Sequence, residues 1–130
     1  LQQSIIRSLD ALLSELDAVI VLDQVEQRDC GVVTGAVRAA LAERARRLPQ
    51  IVFWADSRRR IREFSRLIIK PNQFEAVGHE HPRPGEEVEI DALRTALLQL
   101  RQDNRAPVVV TRGASGMLVS DPEPTLVPGV

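Results

Sequence analysis

Residues 17–23 read Asp17-Ala18-Val19-Ile20-Val21-Leu22-Asp23, five apolar positions in a row closed at each end by a carboxylate. A half-buried strand alternates apolar and polar residues. An uninterrupted run this short, rich in β-branched residues, instead predicts a strand buried on both faces, as in a parallel sheet covered by helices. The residues before it agree. From Ser4 to Leu16, Ile5, Ile6, Leu9, Leu12, Leu13 and Leu16 recur at helical spacing with Arg7, Asp10 and Glu15 between them, so an amphipathic helix feeds the strand.

The same order returns downstream. Val33, Val37, Ala40, Leu41 and Leu48 mark a second helix that Pro49 closes, and Ile51 to Ala55 form a second apolar strand ending at Asp56. Leu67 to Ile69 predict a short third strand before Lys70 and Pro71. Asn72 can cap a short helix from Gln73, and Pro82, Pro84 and Gly85 break the chain in an exposed loop. Ile90, Leu93, Leu97 and Leu100 stripe a longer helix from about Glu87 to Arg101. A fourth strand, Val108 to Thr111, turns through Gly113-Ala114-Ser115-Gly116 into Met117 to Val119, and so short a return implies an antiparallel hairpin. The expected class is α/β: three layers, α-β-α, with a mostly parallel sheet and an antiparallel hairpin at its C-terminal edge.

Composition narrows the function classes. At 130 residues, 44% hydrophobic and 27% charged, the chain has the make-up of one ordinary globular domain. No apolar run approaches the roughly 18 residues a membrane span needs. A net charge of −1 lacks the positive field of a dedicated nucleic-acid binder. One cysteine, Cys30, makes no internal disulfide, which suits a reducing cytoplasm. Leu1 in place of Met and the missing signal-peptide layout lead us to expect a single partial domain, 1–130, from a longer protein.

Ligands of open α/β sheets bind beyond the carboxyl ends of the strands, where this chain carries Asp23, Asp56, Lys70 to Glu75 and Thr111 to Gly116. Asn72 and Glu75 fall on one side of a first helical turn, which suits either a hydrated Mg²⁺ with phosphate oxygens or a helix cap with an acidic first-turn residue. Thr111, Arg112, Gly113, Ala114, Ser115 and Gly116 offer a hydroxyl and closely approachable backbone N–H groups, or simply a hairpin turn that needs glycine. The P-loop and dinucleotide-binding glycine patterns are absent.

Taken together and in order, these segments resemble the ribokinase-like (PfkB-type) carbohydrate kinases. Lys70-Pro71-Asn72-Gln73-Phe74-Glu75-Ala76 is similar to that family's Thr-Pro-Asn-x-x-Glu-Ala. Val110-Thr111-Arg112-Gly113-Ala114-Ser115-Gly116 resembles its Val-Thr-x-Gly-x-x-Gly, Asp17 to Asp23 its Asp-Ala-Val-Val-Val-Ser-Asp strand, and Ala55-Asp56-Ser57-Arg58-Arg59-Arg60 its Asp-Pro-x-x-Arg segment. Lys70 stands for the usual Thr, Ser57 for Pro, and Gln24 to Gly31 for the frequent Tyr-x-Lys-Gly loop.

The resemblance implies an ATP- and Mg²⁺-dependent kinase that moves the γ-phosphoryl group to a hydroxyl of a sugar or sugar phosphate, with the heptose- or fructose-type branch favoured. Glu75 would serve the metal, Asn72 and Thr111 to Gly116 the nucleotide, and Asp23 and Asp56 the substrate cleft. The family's catalytic base lies in a Gly-Ala-Gly-Asp motif that these 130 residues do not contain, so none of them is expected to be catalytic and the chain alone is expected to be inactive. Homodimer formation is left open. The alternative is a non-catalytic module of the same fold that binds a nucleotide or a protein, as Lys70 and the altered loop after Asp23 suggest.

Other candidates read as ordinary surface or core. His79 and His81 could bind a metal but suit a solvated loop. Arg58, Arg59, Arg60, Arg62 and Arg66 could grip phosphate or RNA, but suit a solvated face. Cys30 beside Gly31 could have a lowered pKa at a helix start, but suits a buried thiol.

Overall fold

A computed structural model describes all residues, Leu1–Val130. Helices α1 (Gln2–Leu12), α2 (Gly35–Arg47), α3 (Gln73–Val77) and α4 (Ile90–Asn104) alternate with strands β1 (Ala18–Asp23), β2 (Val52–Ser57), β3 (Ile68–Ile69), β4 (Val109–Thr111), β5 (Met117–Val119) and β6 (Thr125–Val127). Strands β1, β2 and β3 are parallel neighbours in that order, and β4, β5 and β6 form an antiparallel meander. Parallel bridges Ile69–Val108 and Asn72–Thr111 lay β3 beside β4 and join the two halves. This is the expected α/β fold, with the antiparallel hairpin at the C-terminal edge. Strand β6 was not foreseen.

The core collects one face of the sheet against the helices. Val21, Phe53, Ala55, Ile69, Val108, Val110 and Leu118 meet Val37 and Leu41 of α2, Ala76 of α3, and Leu93, Leu97 and Leu100 of α4; Ile5, Ile6 and Leu9 of α1 pack at its margin. Residues 1–130 thus supply the sheet and one helical layer. The opposite face carries Ile20 and Leu22, 70% and 64% exposed, with Val52 beside them. β1 is therefore buried on one face, not two. It is also an edge strand, paired only with β2.

Local chemistry fixes the helix ends. Thr34 caps α2 by accepting from the Val37 amide, and Arg44, Arg46 and Arg47 in the last turn oppose the negative end of its dipole. Glu89 caps α4, which ends at Arg105 in the left-handed region. The first helix stops at Leu12, and Leu13–Glu15 form a 3₁₀ turn that buries Leu13. Arg44 donates two 2.8 Å hydrogen bonds to Asp10, clamping α2 to α1.

Arg101 of α4 holds Asp121, beyond β5, through bonds of 2.8 and 3.0 Å. The Arg101 guanidinium, ahead of opposing burial and assisted by the Ser120 hydroxyl, holds the Asp121 carboxyl below its ordinary value. A carboxylate with a depressed folded pKa stabilises the fold above its unfolded pKa, and that stabilisation is lost as pH falls through the folded value. Both side chains are 36% exposed, so solvent limits the pair to about 1 kcal/mol or less. We expect Arg101→Ala to be slightly less stable than the parent near neutrality, with the gap closing as pH falls through and below the ordinary carboxylate range; urea titrations across pH check this.

Candidate functional site

The carboxyl ends of β2, β3 and β4 bring three of the expected segments together. Thr111 N–H donates to the Pro71 carbonyl at 3.0 Å, and the Asn72–Thr111 bridge sets the start of α3 beside the end of β4. Lys70 N–H donates to the Ala55 carbonyl at 3.0 Å, and its ammonium lies 3.1 Å from Asp56 Oδ2. Asp56, Lys70, Asn72, Glu75 and Thr111 therefore share one end of the sheet.

Asn72 and Glu75 form a complete capping box. Asn72 Oδ1 accepts from the Phe74 and Glu75 amides, each at 2.9 Å, and Glu75 Oε2 accepts from the Asn72 amide at 2.8 Å. The helix-cap reading of this pair is thus realised, without exhausting it: Asn72 Nδ2 and Glu75 Oε1 take no part in the box. Burial pushes the Glu75 carboxyl above its ordinary value; the Asn72 amide opposes this, the Asp56 charge adds to it and Lys70 again opposes it. A half-buried carboxylate raised by burial and by a neighbouring carboxylate is one that a cation would relieve. No group of three or more His, Cys, Asp or Glu side chains gathers into a metal cage. A hydrated Mg²⁺, gripped through one or two carboxylates, fits this donor set; a dehydrated transition metal does not.

The turn after β4 is a 3₁₀ turn, Gly113–Ser115, closed by the Arg112 amide donating to the Gly116 carbonyl at 2.8 Å. Its two glycines differ in purpose. A Cβ at Gly113 would meet nothing within 4 Å, whereas one at Gly116 would strike the Val127 carbonyl and the Pro128–Gly129 backbone. Gly116 lets the C-terminal strand cross; Gly113 leaves open surface. Arg112 Nε is buried with no partner, a donor that an anion at this turn would satisfy. The Ser115 hydroxyl is already engaged, donating to Glu87 at 2.8 Å, while Gln73 accepts from the Val88 amide at 3.0 Å. Segment 87–88 thereby ties the turn to α3.

Asp23 is not in this group. The register pairs Leu22 with Asp56 and Asp23 with Ser57, so Asp23 and Asp56 project from opposite faces of the sheet. Asp23 is only 3% exposed. It accepts from the Ser57 hydroxyl at 2.8 Å and from Arg60 Nε and Nη2, each at 3.2 Å. Asp23, expected at the substrate cleft, lies in a buried ion pair in this structure. Sequence reasoning missed Arg60 as the partner: it too is buried, and it donates onward to the carbonyls of Val25 and Glu26.

The weaker candidates also find places. His79 sits 3.1 Å from Glu86 and edge-on to Phe74, so its contacts are local packing, not a metal site with His81. Cys30 is exposed, contrary to the buried-thiol reading, and precedes α2 by a loop. Arg58, Arg59 and Arg62 are exposed beside the buried Arg60.

No protein-family profile matches the chain, and no curated protein matches it. Solved structures do. Ribokinase from Thermotoga maritima superposes with a TM-score of 0.57 at 18% identity, covering 91% of this chain and 37% of that one. The chain thus spans little more than a third of the length of the ribokinase it matches. No helix is long and apolar enough to cross a membrane. At that identity the likeness concerns the backbone alone, and what it shows is that these residues adopt a ribokinase-like α/β fold.

Proposed function

We propose that the chain is the nucleotide-side part of an ATP- and Mg²⁺-dependent carbohydrate kinase. The observation that carries this reading is the Asn72–Thr111 bridge, which joins the Asn72–Glu75 pair to the Arg112–Gly116 turn at one end of the sheet. Glu75, through Oε1, would hold the hydrated metal. Asn72 Nδ2, Arg112 Nε and the open backbone around Gly113 would face the phosphates. Bound there, the nucleotide would supply the phosphoryl group; this chain's residues position it and offset its charge, which is most of what phosphoryl transfer asks of a protein. The hydroxyl's base and most sugar contacts fall to residues outside 1–130, and the chain alone is inactive.

Calorimetry with a non-hydrolysable ATP analogue tests the reading. Binding should strengthen when Mg²⁺ is added, and Glu75→Gln, which keeps an oxygen for the cap, should reduce that gain about tenfold. Binding indifferent to Mg²⁺ in both proteins would overturn the assignment. A second reading, a non-catalytic nucleotide- or protein-binding module, is favoured by the Lys70–Asp56 ion pair, which places a fixed ammonium beside the carboxylates. It predicts analogue binding of equal strength with and without Mg²⁺.

A further inference from the structure

Glu75 also lines a cavity of about 440 Å³ whose other eleven lining residues have no assigned role. Its volume is that of a small-molecule site, but its wall is unusual for one. Only Ile61 among its twelve lining residues is hydrophobic, whereas small-molecule sites are predominantly apolar. A polar, charged ligand fits such a wall.

Arginines and glutamates line it in equal number, so the raw count does not set the sign; their partners do. Arg60 is neutralised by the buried Asp23 at 3.2 Å, and Arg59 faces Glu26 at 3.7 Å. Glu63 is engaged on both oxygens, by Arg28 at 2.5 Å and Arg38 at 2.6 Å, and both of those guanidiniums come from outside the wall. Glu75 spends one oxygen on the cap and, like Glu80 on the exposed loop after α3, forms no ion pair, so two carboxylates oppose an anion. Against them stand two guanidiniums that form no ion pair, and Glu63 holds one guanidinium more than its single charge offsets. Arg62 donates only to the Ala76 carbonyl, at 2.5 Å, and Arg58 is exposed and forms no ion pair. They lie four residues apart, Arg58 directly after β2 and Arg62 within the 3₁₀ turn Ile61–Glu63.

We propose that this cavity is an anion subsite for a phosphate monoester group, gripped by Arg58 and Arg62. A guanidinium presents a planar fork of donors that matches phosphate oxygens two at a time, and two such forks in a cavity walled by polar and charged residues select phosphate over a neutral sugar. The subsite borders the strand-end nucleotide site at Glu75 but grips its ligand through Arg58 and Arg62, which that site does not use. The group it takes belongs either to a phosphorylated sugar or to a nucleotide, and the two sources share this chemistry.

Titration of the chain with inorganic phosphate at low ionic strength, followed by NMR, tests the proposal. Saturable binding is expected, weakened about tenfold by Arg58→Ala and again by Arg62→Ala, retained in part by Arg58→Lys, and unchanged by Arg94→Ala on exposed α4. Ribose 5-phosphate and ADP then identify the source: the ligand whose affinity falls in Arg58→Ala is the one that places its phosphate here. Absence of saturable binding, or phosphate affinity indifferent to both arginine variants, would overturn the proposal. Should Arg62→Ala unfold the chain by losing its bond to Ala76, the exposed and unbonded Arg58 carries the test alone. Failure here leaves the Mg²⁺-dependent analogue titration untouched, because that is read through Asn72, Glu75 and the Thr111 turn.

Discussion

Arg60→Ala should destabilise the chain by about 3 kcal/mol, measured as a lowered urea midpoint at unchanged slope. The estimate follows from what the substitution leaves behind. Asp23 is 3% exposed and Arg60 6%, so removing the guanidinium strands a carboxylate that cannot reach bulk water. Only the Ser57 hydroxyl still donates to it. The lower end of the range for broken buried pairs applies, because the pair sits at the strand ends, where water can enter after modest rearrangement. Asp23→Ala strands the guanidinium instead, but Arg60 retains the carbonyls of Val25 and Glu26, so its cost should be smaller. The double variant should cost less than the two singles added, since each single leaves a charge that the double removes. Lysine at position 60 should recover little: an ammonium cannot span both Asp23 oxygens and two carbonyls at once. Amide exchange over residues 24–29 gives a second readout, because Arg60 bonds two carbonyls of that loop, those of Val25 and Glu26, at the end of β2. Equal stability of Arg60→Ala and the parent would show that the pair is solvated in solution.

That ion pair also marks the limit of what the sequence disclosed. Asn72 as a cap was legible because its partners lie two and three residues away and the chemistry is local. The alternation of helix and strand was legible because apolar spacing reports it directly. Arg60 was not, standing in a run with Arg58, Arg59 and Arg62 that nothing local tells apart; its partner lies 37 residues upstream and is met only through the β1–β2 register. The same register separates Asp23 from Asp56, which a list of strand-end acids cannot reveal. The one-sided burial of β1 was hidden for a related reason. A continuous apolar run has no two-residue period, so it does not say which face is covered. Strand β6 escaped notice because Thr125-Leu126-Val127 is only three residues long and set between Pro124 and Pro128. Its place is fixed by pairing with β5.

The two turn glycines give the second large effect, and a contrast that separates fold from function. Gly116 has φ of 88° and ψ of −136°, a combination essentially closed to residues with a side chain. A methyl there would also collide with backbone atoms of Val127, Pro128 and Gly129, which are bonded into or next to β6 and cannot rotate aside. Gly116→Ala should therefore cost about 3 kcal/mol or more, and should release β6, seen as lost amide protection at residues 125–127. Gly113 has φ of 57° but open space around its Cβ position, so Gly113→Ala carries only the left-handed backbone penalty of about 1 kcal/mol. Its β5–β6 pairing should stay intact. If phosphates approach the turn as proposed, the added methyl at 113 stands where they would come closest, and analogue binding should weaken while the fold holds. Equal costs at the two positions would mean that the crossing of the C-terminal strand is not what demands glycine at 116. Undiminished analogue binding in Gly113→Ala would move the phosphates away from this turn and toward Asn72.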